Sequence, residues 1–472
     1  QTFCCLALHQ IMKTASFASV LAIASAASVD LTWSDCGDAD THGKIADLQP
    51  THLDIGTKTT IVGSGTLDKD ENAATFKFVA KLGLIPVLKG SGSVCEDTTI
   101  KLPLGAGSIL FHGIDCPVKA GDLAISLDLD ILSSSSDSND LTDIKVTVDS
   151  DTGDKLVCME IKAKDASFDT YLNKFGKAYN GNDEYATRKA IYDENMKYIN
   201  EENAKGHTYT LGETQFTDLT NEEFKAMYVS GYKAPSQMLG DLPYLGEHDS
   251  EESSGSVDWT TKGAVTPVKD QGQCGSCWAF STTGGLEGAW QISSGQLTSM
   301  SEQQFVDCDT SSAGCNGGNM GSAFGWAEKQ NVATESSYPY TAKDGSCKSS
   351  FSTAIPKGGV TGYKSVGSLF SKATVAKLQS AVDLNPVSIA IEADQSSFQH
   401  YTGGVLSQNC GTNLDHGVLV AGYDSSAGYW LVKNSWGSSW GENGYIRLSQ
   451  TGNVCGILNQ PVYPTVSASV SV

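Results

Sequence analysis

The 472-residue sequence has no surplus of basic charge: 32 Lys and Arg stand against 54 Asp and Glu, a formal net charge of −22. A surface of that sign repels phosphate, which argues against nucleic acid or an anionic membrane as a partner held by a basic face. No apolar run reaches the roughly 18 residues that a membrane-spanning helix needs. No Asn-x-Ser/Thr acceptor occurs, so glycan-dependent sorting finds no support. The cysteines lack a second paired C-x2-C cluster, so neither a zinc site nor any other metal or cofactor is expected.

What is present divides the chain. Its length suggests about two or three domains, and 40% hydrophobic residues are enough to build cores. Met12 and Lys13 precede an apolar run from Ala15 to Ala27 that closes on small residues, the pattern of a signal peptide. Residues 1–27 are therefore read as leader and signal peptide, with Met12 as the start. This implies the secretory pathway, with lysosome, vacuole and exterior open, and permits disulfides. The acidic surplus is eleven charges in residues 28–163, eight in 164–256 and four in 257–472. Thirteen cysteines fall into groups of two, four and seven along the chain. An odd group in an oxidising compartment leaves one thiol over, which invites a nucleophile.

From Ser28 to Ala163 the hydrophobic period is two. Leu123, Ile125, Leu127, Leu129 and Ile131 alternate with polar or small residues, as do Ile144, Val146 and Val148. Such alternation puts one face of each strand in a core and predicts an all-β, immunoglobulin-like sandwich. Cys36-Gly37, Gly63-Ser64-Gly65, Cys95, Cys116-Pro117 with Gly121, and Cys158-Met159-Glu160 resemble the ML lipid-recognition family over 28–163. The resemblance implies Cys36–Cys158 across the sandwich, Cys95–Cys116 closing a loop, and a lipid or sterol between splayed sheets. A filled sandwich serving as a spacer or docking module fits the alternation equally well.

After Lys164 the period becomes helical. Phe168, Tyr171, Leu172 and Phe175 mark one helix. Glu184, Arg188, Tyr192, Asn195, Ile199 and Asn203 form a single stripe on a second. Glu184 and Arg188 are spaced to pair at i,i+4. The stripe resembles the ERFNIN motif of cathepsin-L-type propeptides. Gly212, Phe216 and Asp218 resemble the second propeptide motif, with Thr214 in place of its Asn. The resemblance implies an inhibitor domain over 164–229 that runs through the enzyme's cleft in reverse until low pH loosens it. Residues 230–256, rich in Gly, Pro, Ser and acids, read as a cleavable activation linker. The mature enzyme is expected to begin near Ser253–Val257.

The chemistry concentrates in residues 257–466, ahead of a short tail at 467–472. Gln271 to Phe280 reads QGQCGSCWAF, followed by Asp415-His416-Gly417 and Asn434-Ser435-Trp436-Gly437. These motifs resemble papain-like cysteine peptidases over the whole segment, at the expected spacing of nucleophile, histidine and asparagine. The fold implied is α+β, with a helical half and a β-barrel-like half. A cysteine thiol is mostly protonated at acid pH. A helix starting near Cys277 and a protonated His416 beside it would stabilise the thiolate. Asn434 would orient the imidazole, Trp436 would shield that bond, and Gln271 would donate to the oxyanion with the Cys277 amide.

The resemblance implies bridges Cys274–Cys315, Cys308–Cys347 and Cys410–Cys455, which leave Cys277 free. It also places Asn319, Met320, Ala390, Leu414 and Gln460 around the pocket for the substrate's second residue before the cut. Met320, Ala390 and Leu414 favour an apolar or aromatic side chain, and Gln460 leaves room for polarity. Gly317 and Gly318 let substrate backbone approach and pair like an added strand. No His-rich insertion of the exopeptidase kind is found, so an endopeptidase acting on protein and peptide substrates is expected. Two rivals come from other classes: a lipid-binding or transfer protein with a dormant protease, and a secreted protease inhibitor. The complete set Cys277, His416, Asn434 and Gln271 argues against both.

Overall fold

A computed structural model describes residues 28–82, 85–102, 107–131, 142–234, 244–367 and 372–469. The expected leader and signal peptide, and linker residues 235–243, lie outside the described residues. The chain divides into two compact units, one ending at Asn180 and the other starting at Gly181.

The first unit holds two antiparallel sheets. The six-stranded sheet runs, in spatial order, His52–Asp54, Ser28–Asp35, Lys155–Asp165, Thr142–Ser150, Ala74–Leu82 and Ile85–Ser93. The five-stranded sheet runs Gly43–Gln49, Lys58–Leu67, Gly121–Ile131, Gly107–His112 and Thr98–Lys101. Ile125 and Leu123 stand directly opposite Gly63 and Gly65. Phe78 and Phe76 stand opposite Gly90 and Gly92, where a Cβ on Gly92 would lie 2.8 Å from the Phe76 ring. The glycines thus make room for the large side chains that face them.

Two buried clusters form, one on Phe76, Phe78 and Phe111, the other on Leu31, Leu48, Ile61 and Met159. Cys36 is bonded to Cys158, and Cys95 to Cys116. The first bond does not cross the sandwich as expected. Asp35 is paired with Met159, so Cys36 and Cys158 sit at the open ends of neighbouring strands of one sheet. The second bond instead joins segments leaving the two different sheets. Helix α1, Ser167–Phe175, closes this unit: the Ala166 amide donates to the Ser28 carbonyl at 2.8 Å, and Ser28 Oγ lies 2.8 Å from Thr170 Oγ1.

In the second unit, helix α2 (Asn182–Asn203) leads to strand Tyr209–Leu211 and the short helix α3 (Asn221–Phe224). The helical half contains α4 (Cys277–Ser294), α5 (Glu302–Cys308) and α6 (Met320–Glu328). The other half is a ten-stranded sheet with α7 (Val375–Leu384) against it. Its central strands His416–Asp424 and Val387–Ile391 are buried throughout save Asp424. Tyr209–Leu211 lies at one end of the strand order and Tyr244–His248 at the other. Both precede the expected mature start, so residues 244–248, read as linker, are strand. Cys274–Cys315, Cys308–Cys347 and Cys410–Cys455 are bonded in this unit.

Candidate active site

α4 is buried from Cys277 to Ala289, on all sides of the helix. Three glycines allow that. A Cβ on Gly284 would come within 2.9 Å of Leu419, on Gly285 within 2.9 Å of Ser388 Oγ, and on Gly288 within 2.6 Å of Pro386. The helix therefore lies close against the β half, with its first residue, Cys277, at the junction. The Cys274–Cys315 bond and the Gly275 amide, donating to the Cys315 carbonyl at 3.0 Å, fix the approach to it. Cys277 is buried and the one free cysteine among the described residues.

The β half brings the partners. His416 opens strand His416–Asp424, and Asn434 follows strand Tyr429–Lys433. His416 Nε2 lies 2.8 Å from Asn434 Oδ1, and the Trp436 ring stacks on the imidazole at 4.7 Å. The Gly417 amide donates to Cys277 Sγ at 3.3 Å. Gln271 is clamped by Ser435, whose hydroxyl donates to Oε1 at 2.7 Å and whose carbonyl accepts the Gln271 amide at 2.8 Å. Ser435 was not singled out in the sequence, although it sits inside the Asn434–Trp436 motif. The four residues Cys277, His416, Asn434 and Gln271 are all buried.

In this filled cleft the surroundings of Cys277 and His416 oppose charge on either group. Burial pushes the Cys277 thiol up to about 12, against the lowering effect of the Gly417 amide. Burial also pushes His416 down to about 4, with Asn434 only partly offsetting it. His416 Nδ1 has no hydrogen-bond partner among the described residues. Filling of the cleft thus shifts both groups toward their neutral forms, since charge without solvent is disfavoured.

The filler is residues 228–233. Gln271 Nε2 donates to the Tyr228 carbonyl at 3.3 Å, and to the Cys274 carbonyl at 3.1 Å. The Gly318 amide donates to the Gly231 carbonyl at 3.1 Å, and the Lys233 amide to the Gly318 carbonyl at 2.9 Å, a parallel pairing. The Tyr232 amide donates to the Asp415 carbonyl at 3.1 Å. A Cβ on Gly231 would lie 2.8 Å from Cys277 Sγ, and one on Gly317 would lie 2.9 Å from the Gly231 carbonyl. Tyr232 shares a buried cluster with Met320 and Ala390, with Leu414 packed against it, and its hydroxyl bonds to Gln460. Tyr228, Gly231 and Tyr232 were not found by sequence reasoning. Their only signal is a lone Gly-Tyr after the second propeptide motif.

The α2 stripe holds that filler's root. Arg188 is bidentate on Glu223 at 2.7 and 3.0 Å and also donates to the Asp218 carbonyl. Glu184 stays exposed, and the expected i,i+4 pair with Arg188 is not formed, because Glu223 presents both carboxylate oxygens to the guanidinium. Asn195 donates to the Thr217 and Leu219 carbonyls, Tyr192 to Glu213, and Asn203 exchanges two bonds with Leu211. Ile199 is fully buried. The Gly212 amide donates to the His400 carbonyl at 2.9 Å. Phe216 and Phe224 meet the Trp436 ring edge-on at 5.5 and 5.3 Å.

Residues 253–465 match the family model for the papain family cysteine protease, 168–224 that for the cathepsin propeptide inhibitor domain (I29), and 30–164 that for the ML domain. The chain is 43% identical over 322 residues to digestive cysteine proteinase 1 of Homarus americanus, covering 65% of this chain and 97% of that protein. It is 41% identical over 327 residues to cysteine proteinase 5 of Dictyostelium discoideum, covering 64% and 92%. Among solved structures, digestive procathepsin L 3 of Tenebrio molitor larval midgut superposes with a TM-score of 0.57 at 39% identity, covering 63% of this chain and 98% of that one. Recombinant stem bromelain precursor gives 0.57 at 36%, covering 64% and 98%. The free thiol in a filled cleft and these likenesses agree: the chain belongs to the papain family of cysteine proteases, as a zymogen that carries its propeptide and, ahead of it, an ML domain.

Proposed function

We propose that Cys277 is the nucleophile of an endopeptidase, with His416 as acid and base, Asn434 as its orienting partner and Gln271 as an oxyanion donor. Once the prosegment leaves, water reaches the thiol and imidazole, and the proton passes from Sγ to His416. The thiolate attacks the scissile carbonyl, forming a C–S bond. The oxygen's negative charge meets Gln271 Nε2 and the Cys277 amide, donors typically worth about 3–4 kcal/mol each. His416 protonates the leaving amine as the C–N bond breaks. It then takes a proton from water, whose oxygen displaces sulfur and releases the acid.

The observation that carries this reading is the Tyr228 carbonyl on Gln271 Nε2. A peptide carbonyl already occupies the donor, while Tyr232 lies past Gly231 in the pocket lined by Asn319 and Gln460. Main chain passes the sulfur on both sides, which supports cleavage within a chain. Strand Ser256–Asp258 pairs with His416–Asp424, the enzyme's own sheet, which supports a mature start near 253–257. Five disulfides suit an oxidising compartment, whether lysosome, vacuole or exterior. The test is labelling by an active-site thiol probe after autoprocessing at acid pH. The unaltered protein is expected to label and to cleave peptides. Cys277→Ala is expected to do neither, and labelling that survives it refutes the reading.

We also propose that the ML domain takes a lipid tail or sterol. Along the inner faces Ile100, Leu123, Ile125, Leu127, Ile144 and Ile161 stay only partly buried, opposite glycines in two cases. Apolar residues facing each other without full burial suit an apolar guest. Mass spectrometry of the intact secreted protein is expected to find a lipid at near one per chain. Lipid-free protein that also fails to take up a fluorescent sterol or fatty acid refutes this.

A further inference from the structure

Tyr232 is 5% exposed, and its hydroxyl bonds to the side-chain oxygen of Gln460 and accepts from Asn319 Nδ2 at 3.3 Å. A phenol is one donor and one acceptor, and this pocket supplies one partner for each role. The arrangement is preorganised on the Asn319 side. Asn319 is the N-cap of α6, its Oδ1 accepting the Ser322 amide at 3.2 Å, which leaves Nδ2 turned toward Tyr232. The walls are apolar: Met320 and Ala390 belong to the same buried cluster as Tyr232, with Leu414 packed against it. An apolar tube closed by two amides, one accepting and one donating, matches an aromatic ring ending in a hydroxyl.

We infer that this enzyme selects tyrosine as the substrate residue two positions before the cut, with Gln460 and Asn319 as the determinants. The inference rests on the proposed hydrolysis at Cys277 and narrows its substrate class. Prosegment main chain runs parallel to Gly318, but the chemistry of the pocket end does not depend on chain direction. Phenylalanine fills the same walls but offers the two half-buried amides no hydroxyl. Leucine offers none either and fills less. A site that bonds a hydroxyl favours the residue that carries it by the net value of those hydrogen bonds, which partial exposure of the amides keeps modest.

The test compares kcat/KM of the autoprocessed enzyme on two blocked dipeptide amides, Tyr-Arg and Phe-Arg, identical elsewhere. Tyrosine is expected to win by roughly 5- to 10-fold, the effect of one or two net hydrogen bonds. Gln460→Leu is expected to bring the Tyr/Phe ratio to one or below, and Asn319→Ala to lower it in part. In the full chain, Tyr232→Phe is expected to speed autoprocessing, since the same bonds hold the prosegment. Phenylalanine cleaved as well as tyrosine by the unaltered enzyme, or a ratio that Gln460→Leu does not move, overturns the inference and leaves the hydrolytic reading standing. Cleavage of neither substrate, with no thiol-probe labelling, overturns that reading and this inference with it.

Discussion

Both ring nitrogens of His400 are buried without a hydrogen-bond partner among the described residues, and burial alone pushes its pKa down to about 3. Tyr198 of α2 lies against the imidazole at 6.3 Å, and the Gly212 amide bonds to its carbonyl. The ring is thus covered from the prosegment side. A histidine held below its ordinary value of about 6.5 adds no penalty to the closed form at neutral pH. As pH falls from about 6.5 toward 3, the closed form loses about 1.4 kcal/mol per unit to any state in which the ring meets water. His400→Phe, which fills the site without titrating, should move the midpoint pH of autoprocessing downward by roughly half a unit or more. A midpoint unchanged by the substitution would count against this role. Nothing around residues 398–401 signals that role in sequence, since burial and the loss of partners arise only in the folded chain. Cys277, His416, Asn434 and Gln271 were legible for the opposite reason. Their motifs carry fixed residue types at fixed spacing, and the structure brings those residues together. The shift of Cys277 and His416 toward neutrality was not legible, because it depends on what fills the cleft.

The stripe on α2 has a helical period yet is mostly polar, and it works by bonding backbone rather than by burying area. Arg188 and Asn195 between them bond the carbonyls of Thr217, Asp218 and Leu219, and Arg188 also grips Glu223. Glu223 closes the capping box of α3 with Thr220, so one carboxylate serves both helices. Arg188→Ala leaves that carboxylate without its guanidinium, a loss of about 2 kcal/mol for a charged hydrogen-bonded pair of this burial. Autoprocessing at a fixed mildly acid pH should quicken roughly tenfold or more. An unchanged rate would mean that the stripe does not hold the prosegment.

In α4 the opposite economy applies: glycine costs the helix about 1 kcal/mol per residue relative to alanine, yet close packing requires it. Gly288→Ala should destabilise by about 1–3 kcal/mol through overpacking against Pro386. The thermal midpoint of the Cys277→Ala zymogen, which cannot process itself, reads this directly. A gain in stability would show that the helix shifts at no cost. Alternation made the long strands of the sandwich readable. The strands Tyr209–Leu211 and Tyr244–His248 were not, because three to five residues carry no period and pair only where a finished sheet offers an edge.

At the scale of the whole zymogen, three histidines are pushed toward the neutral form in the second unit. Besides His400, His416 is held near 4 by burial. His248, on the edge strand before the expected mature start, sits between Tyr463 Oη at 3.0 Å and Ser380 Oγ at 3.2 Å. It is lowered by burial first and then by Lys364 and Lys377, against Asp249. Each favours opening as pH falls below about 6.5. Asp415 opposes them. Burial, with Asp394 and Glu392 nearby, raises it to about 8, so the closed form holds a proton that an open form would release. His400 and His416 each gain a proton on opening and Asp415 loses one, a net uptake of about one between pH 6.5 and 4, to which His248 adds in the same direction.

Glu202 and Glu223 are lowered by Lys205 and Arg188 respectively, so their contribution is present above their ordinary 4.5 and disappears only beneath it. The two classes of group therefore act in separate windows. The logarithm of the autoprocessing rate, plotted against pH, should rise with a slope of about one to two per unit from 6.5 to 4, and His400→Phe should lower that slope by about one. A flat profile down to pH 4.5 followed by a steep rise would assign the trigger to the carboxylates instead. In that case the buried imidazoles would remain uncharged through opening, and loosening would begin in the ion pairs within the prosegment, Glu202 with Lys205 and Glu223 with Arg188.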